Sequence, residues 1–293
     1  MLYEIKLTIA SEYDRSANGG RHLLRLMPMD GASAGQRLIA GSFDIRPAAK
    51  ERMDSYDFFG NRTTEVIFGD SHDRVEFAVR ARVERYAEAS EFDLSPLLSA
   101  LPDEVAAVRT LDARSPHHFI GASPLVGQST AIADYAHAHV RPEMSTFEAV
   151  RALNLALHAD LAYDGDATTV DTPLEEAFAA RKGVCQDFTH IMIACLREIG
   201  VPAGYVSGFL RTEPPKGKPR LEGADAMHAW VQAWCGSEAG WIEFDPTNAL
   251  LVGQDHVVVA RGRDYSDVAP VKGVLWTSGD QKTEQSVDVI PLG

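Results

Sequence analysis

Arg181-Lys182-Gly183-Val184-Cys185-Gln186-Asp187-Phe188-Thr189-His190, and the residues that carry on from it to Pro202, decide the reading of this chain. Phe188, Ile191, Met192, Cys195, Leu196 and Ile199 recur at helical spacing, which predicts an amphipathic helix closed by Gly200 and followed by Pro202. Glycine precedes that helix, so Cys185 opens its first turn. There a thiol meets the positive end of the helix dipole and backbone N–H groups with no partner, which favour a thiolate and can hold an oxyanion. A cysteine kept only for packing belongs mid-stripe, as Cys195 does. Cys235, at the end of a strand-like run, is also read as structural.

Partners for such a thiol lie downstream. The run His228 to Trp234 alternates with period two, and so does Trp241-Ile242-Glu243-Phe244-Asp245, with Cys235-Gly236-Ser237-Glu238-Ala239-Gly240 between them as a hairpin connection. His228, Trp230, Gln232 and Trp234 share one face of the first strand; Trp241, Glu243 and Asp245 share one face of the second. A tight turn at Gly236-Ser237 would set His228 directly opposite Asp245, and a wider loop would offset them by a few residues. A carboxylate beside an imidazole fixes its tautomer and stabilises the imidazolium, and an imidazole beside a thiol serves as its base. With 10 histidines in the chain, a single one is a weak signal. Pro116-His117-His118 and His137-Ala138-His139 are read as solvated or packed and not as metal sites. Gln186 and Asp187, in the first helical turn, and Trp230 and Asn248 are candidates to line the site. For Asp187 a competing reading is a charge that complements the helix dipole, and for Trp230 it is packing.

Outward from this centre, 129–139 reads as a helix, and Ser145 with Glu148 fits a capping box for the helix whose stripe is Val150, Leu153, Leu157 and Leu161. Thr172-Pro173 reads as the cap and first position of another. Strands are expected near 203–210, 228–235, 241–245, 256–261, 271–277 and 284–290, and Pro214-Pro215-Lys216-Gly217-Lys218-Pro219 as a mobile loop. Toward the N-terminus, Tyr3-Glu4-Ile5-Lys6-Leu7-Thr8-Ile9 alternates as a half-buried strand, with further strands at 21–29, 36–46 and 75–85 and turns at Asn18-Gly19-Gly20 and Gly60-Asn61. The expected organisation is an antiparallel β domain over 1–90, a proline-bearing linker over 91–126 and a catalytic domain over 127–293.

Bulk composition excludes several classes. A formal net charge of −14 over 293 residues disfavours nucleic acid as a partner and leans toward neutral or cationic substrates. Three cysteines without CxxC spacing argue against a disulfide framework and a structural zinc site. No run approaches a membrane span and the N-terminus lacks a signal-peptide pattern, so a cytoplasmic setting without membrane attachment is expected. No metal or other cofactor is expected.

The motif Gly183-Val184-Cys185-Gln186-Asp187-Phe188-Thr189-His190 resembles the nucleophile segment of the bacterial transglutaminase-like proteins. The likeness continues through Cys195-Leu196-Arg197, Gly200-Val201-Pro202-Ala203, Tyr205-Val206-Ser207-Gly208-Phe209-Leu210, His228-Ala229-Trp230-Val231 and Phe244-Asp245-Pro246-Thr247-Asn248. Phe58-Phe59-Gly60-Asn61 and Gly262-Arg263-Asp264-Tyr265-Ser266-Asp267-Val268 are similar to one subgroup that carries a β domain ahead of the catalytic one. The resemblance implies an α+β fold, with a papain-like catalytic domain preceded by a mainly antiparallel β domain, and a triad carried onto Cys185, His228 and Asp245. It implies an acyl-enzyme reaction on a peptide or other amide: hydrolysis in the first instance, acyl transfer to an amine as the alternative, and a binding module on the same fold as the third possibility. No acidic loop matches the EF-hand pattern, so calcium dependence is not expected.

Overall fold

The computed structural model describes residues 1–86, 92–212, 225–276 and 279–292. The expected loop at 214–219 lies outside them. The N-terminal region forms four strands, β1 (Leu2–Leu24), β2 (Gln36–Arg46), β3 (Glu51–Tyr56) and β4 (Arg62–Arg85), of which β1 and β4 carry the apolar alternation. After helix α1 (Leu101–Ala107) come α2 (Thr130–His139), α3 (Thr146–Asp160), a short strand β5 (Ala162–Tyr163), α4 (Leu174–Ala180), β6 (Lys182–Gly183) and α5 (Cys185–Glu198). The chain then runs through β7 (Ala203–Leu210), β8 (Ala226–Trp234), β9 (Trp241–Asp245), β10 (Leu250–Leu251), β11 (His256–Gly262), α6 (Tyr265–Val268), β12 (Val271–Leu275) and β13 (Gln281–Pro291). The fold is α+β, with helices and antiparallel sheets.

Local chemistry explains the helix ends. Ser145 Oγ accepts the Glu148 N–H at 3.1 Å while a Glu148 carboxylate oxygen accepts the Ser145 N–H at 3.1 Å, so the capping box forms as spelled. Gly200, at φ 82°, terminates α5, and Val201 N–H reaches back to Leu196 C=O at 2.8 Å. Thr172 is not the cap of α4: Pro173 takes that position, and the Thr172 hydroxyl accepts the Thr169 N–H instead. Residues 186–196 of α5 are all buried, wider than the expected stripe, because the helix lies against β8 and β7 with α2, α3 and α4 on its other flanks. Each large apolar side chain so enclosed contributes about 1.5–3 kcal/mol.

The second sheet has the order β10-β9-β8-β7-β11, antiparallel throughout. The first has β12-β1-β4-β2, with β13 also on β1 and β3 on β4. Two expectations change here. Asn18-Gly19-Gly20 does not turn the chain; it lies inside β1, where the register with β4 shifts and Gly19 adopts φ 75°. A unit running to 293 does not hold either, because β12 and β13 pair with β1 and complete the N-terminal sheet. The apolar faces of that sheet and of α5 belong to one buried cluster. Gly60-Asn61 does turn the chain, between β3 and β4.

The same N-terminal region seals the outer edge of β11. Asn61 donates its amide to Arg261 C=O and accepts the Arg261 N–H, both at 2.7 Å. Gln36 does the same for Val258, at 2.8 and 2.9 Å. Side-chain amides here mimic the next strand of a sheet and leave no free edge at these positions.

Candidate active site

Cys185 owes its placement to the turn in front of it. Asp187 accepts the Val184 N–H at 2.8 Å and the Thr168 hydroxyl at 2.6 Å, which satisfies an otherwise orphaned donor at the mouth of α5. A Cβ on Gly183 would stand 2.4 Å from the Asp187 carboxylate, so only glycine lets the chain pass this close. Gln186 is buried and donates to Val170 C=O at 3.2 Å, anchoring the approach to α4. Through these bonds Gln186 and Asp187 brace the turn that opens α5. Cys185 itself is partly exposed, whereas Cys195 and Cys235 are buried. Burial pushes the Cys195 thiol up to about 12 and raises that of Cys235 as well.

His228 and Asp245 come together, but not face to face. Val231 pairs with Phe244 and Gln232 with Glu243 across β8 and β9, so in this register His228 would face Thr247, two positions past Asp245. The wider connection causes the offset: Cys235 N–H reaches Gly240 C=O and Gly240 N–H reaches Gly236 C=O. The diagonal still joins them, because both side chains share a face. His228 Nε2 meets Asp245 Oδ2 at 2.8 Å, and the Cys185 thiol is near enough to act on the same imidazole. With Nε2 engaged by the carboxylate, Nδ1 is the nitrogen left for the thiol.

Asp245 is wholly buried and saturated with donors. Oδ1 accepts the N–H groups of Thr247 and Asn248 at 3.0 and 3.2 Å; Oδ2 accepts the Asn248 amide at 2.8 Å beside His228. Burial alone would raise its pKa, but the hydrogen bonds from His228, His256 and Asn248 outweigh it and hold the carboxyl well below the usual range. For His228 burial pulls downward, and the hydrogen bonds and charges of Asp245 and Cys185 prevail, raising it to about 10. Asn248 Nδ2 also lies 3.5 Å from His228 Nε2, but with Nε2–H pointed at Asp245 this is proximity and not a second bond. Asn248 thus stands beside the His228–Asp245 pair.

A further residue, His256 at the head of β11, was not anticipated. Its Nε2 lies 3.1 Å from Asp245 Oδ2, so one carboxylate oxygen serves two imidazoles. Nothing in the local sequence marks it, since a histidine opening a strand carries no periodic signature. Trp230 is fully buried, with its ring 5.1 Å from that of His256 and 6.1 Å from that of His228, and its indole N–H donated to Glu243 at 2.9 Å. It packs beside both imidazoles. His190 is buried too, accepts the Tyr265 N–H at 3.2 Å and is kept neutral by burial, which lowers it to about 4.

The ligand atoms of His228, Asp245 and His256 lie within 4.8 Å of one another, a donor set a cation could use. The 2.8 and 3.1 Å separations are hydrogen-bond lengths, shorter than the ~3.3 Å edge of a tetrahedral zinc site built from ~2.0 Å bonds. As it stands, the cluster fits shared protons better than a metal. No helix among the described residues is long and apolar enough to cross a membrane.

Residues 133–246 match the family model of the transglutaminase-like superfamily, and residues 3–84 match that of the bacterial transglutaminase-like N-terminal region. Uncharacterized proteins of Mycobacterium tuberculosis and Mycobacterium bovis are each 33% identical over 303 residues, covering 99% of this chain and 90% of theirs. A solved structure from Cytophaga hutchinsonii, described as a candidate cysteine protease, superposes with a TM-score of 0.75. It covers 100% of this chain and 92% of its own at 19% identity, a likeness of fold. The chain belongs to the transglutaminase-like superfamily, in the form that carries the bacterial transglutaminase-like N-terminal region.

Proposed function

We propose that the chain is a cysteine-dependent amide-bond hydrolase, in which Cys185 is the nucleophile, His228 the general base and acid, and Asp245 the group that orients His228. One observation carries this reading: His228 Nε2 is bonded to Asp245 at 2.8 Å, and the Cys185 thiol lies close enough to help raise the same imidazole. A histidine raised to about 10 is protonated at neutral pH and supplies the cation that a thiolate needs beside it. The Cys185 sulfur adds to the amide carbonyl carbon, and free N–H groups at the start of α5 receive the oxyanion. His228 then passes its proton to the leaving amine, and the thioester forms. Water attacks the thioester as His228 takes its proton back, releasing the acid and restoring the thiolate. Asp245 stays ionised throughout, because its donors hold it so.

Tyr163, largely exposed and within electrostatic reach of Cys185, favours a substrate with an apolar or aromatic side chain near the cleaved bond. The test is intact-mass spectrometry after incubation with a panel of N-acyl peptide amides and the matching p-nitrophenyl esters. An acyl group on Cys185 that is lost to water, and that is absent from Cys185→Ala, is the expected result. Acylation elsewhere, or neither adduct nor turnover across the panel, would end the proposal.

A further inference from the structure

A pocket of about 360 Å³ lies where the N-terminal region, the connection after it and β9 meet, and three arginines line it: Arg85, Arg114 and Arg261. Glu238 and Glu243 are the carboxylates among its lining residues, so cations are in excess in a chain whose formal charge is −14. Glu243 is already engaged on both oxygens. One of its oxygens accepts from Arg261 and the other from Trp230 at 2.9 Å, with Arg85 4.0 Å away. Arg85 donates to the carbonyls of Ala34 and Gly253, and Arg261 to that of Ser33 at 2.8 Å. Arg261 Nε is buried with no acceptor.

Arg114 differs from the other two. Among the described residues its guanidinium has no carboxylate or carbonyl partner within bonding distance; it lies over the Trp241 ring, 5.9 Å from the centroid. Burial, followed by the nearby charge of Arg261, lowers it to about 10, and the charges of Glu243 and Asp112 do not offset this. Trp241, Phe147 and Leu251 add apolar wall to the same pocket. Desolvated cations without an anion are costly, and a planar guanidinium on an aromatic face is suited to receive a carboxylate or phosphate in a forked pair.

We propose that this pocket binds an organic anion, an apolar body bearing a carboxylate or phosphate monoester, whose charged head is received by Arg114. The inference does not depend on the reaction at Cys185. Phenyl phosphate and phenylacetate titrated into the whole protein by calorimetry should give saturable one-to-one binding by at least one of the two, with benzyl alcohol binding at least 10-fold more weakly. Arg114→Gln should weaken the anion at least 10-fold, and Glu238→Gln, an exposed change that does not threaten folding, should strengthen it two- to threefold. If neither anion binds, if benzyl alcohol binds as well, or if inorganic phosphate alone binds as tightly as phenyl phosphate, the proposal is wrong. It is equally overturned if Glu238→Gln leaves the affinity unchanged or weakens it.

Discussion

Along β1, Tyr3, Ile5, Leu7 and Ile9 are buried and Lys6 between them is exposed, whereas along β8 every residue from His228 to Trp234 is buried. The first sheet sorts polar from apolar residues by face. The second has water on neither face of its central strands, so it cannot sort them and must give each polar group a partner. His228, His256 and Asn248 converge on Asp245; Trp230, Arg261 and Arg85 converge on Glu243, two residues earlier on the same strand. In a dry setting each hydrogen bond is electrostatically stronger and each missing one costs more. That is where a thiol, an imidazole and a carboxylate can be held in fixed relation.

The contrast between wet and dry sheets can be broken by experiment, most forcefully at the imidazole. Iodoacetamide at pH 6 should label Cys185 quickly and the buried Cys195 and Cys235 slowly, and His228→Ala should slow Cys185 by about 100-fold. Equal labelling of the three would show that the dry sheet activates nothing. Next in size is alkaline loss of stability. His228 is raised from 6.5 to about 10, so its contribution is complete below about pH 6.5 and lost as pH rises through about 10. Asp245, held low, contributes above about pH 4 and loses that contribution only in acid. Urea unfolding at pH 6 and pH 10 should show the alkaline loss, and His228→Gln should flatten it.

Smaller effects sharpen the same contrast. Asn61→Ala leaves the Arg261 N–H and C=O at the sealed edge of β11 without partners and should cost about 1–3 kcal/mol in urea unfolding. His256→Ala removes one of the two imidazoles on Asp245 and should slow acylation of Cys185 about 10-fold, the worth of a charge-assisted hydrogen bond. On the wet side, Ser11 and Thr283 share an exposed 2.8 Å hydrogen bond; Ser11→Ala should change stability by less than about 0.5 kcal/mol. A loss as large there as at Asn61 would mean that the two sheets do not differ in this way.

Local signals were legible in proportion to how locally they act. The capping box at Ser145 and Glu148, the glycine stop at Gly200 and the helix-opening Cys185 each involve residues within a few positions, and each is found where the spelling puts it. The face shared by His228 and Asp245 was readable from period two, but their two-residue offset depends on loop geometry at 235–240 that alternation does not encode. β3 escaped notice because all six of its residues are exposed and leave no apolar stripe. His256, and the return of β12 and β13 to β1, are consequences of pairing between distant segments, and no window of sequence displays them.

That return also sets a timetable. Ser11 of β1 is bonded to Thr283 of β13, 272 residues later in the chain. β4 can cover one edge of β1 early, but the other edge waits for strands that follow the whole of α2 to α6. At about 5–20 residues per second, the ribosome needs roughly 15–55 s to deliver them. For that interval a long strand with apolar Ile5, Leu7 and Ile9 on one face carries an unpaired edge, the state in which strands recruit the wrong neighbour. Synthesis of this protein therefore includes a window of exposure that its finished structure no longer displays, and a holding chaperone would be most useful before residue 281 emerges.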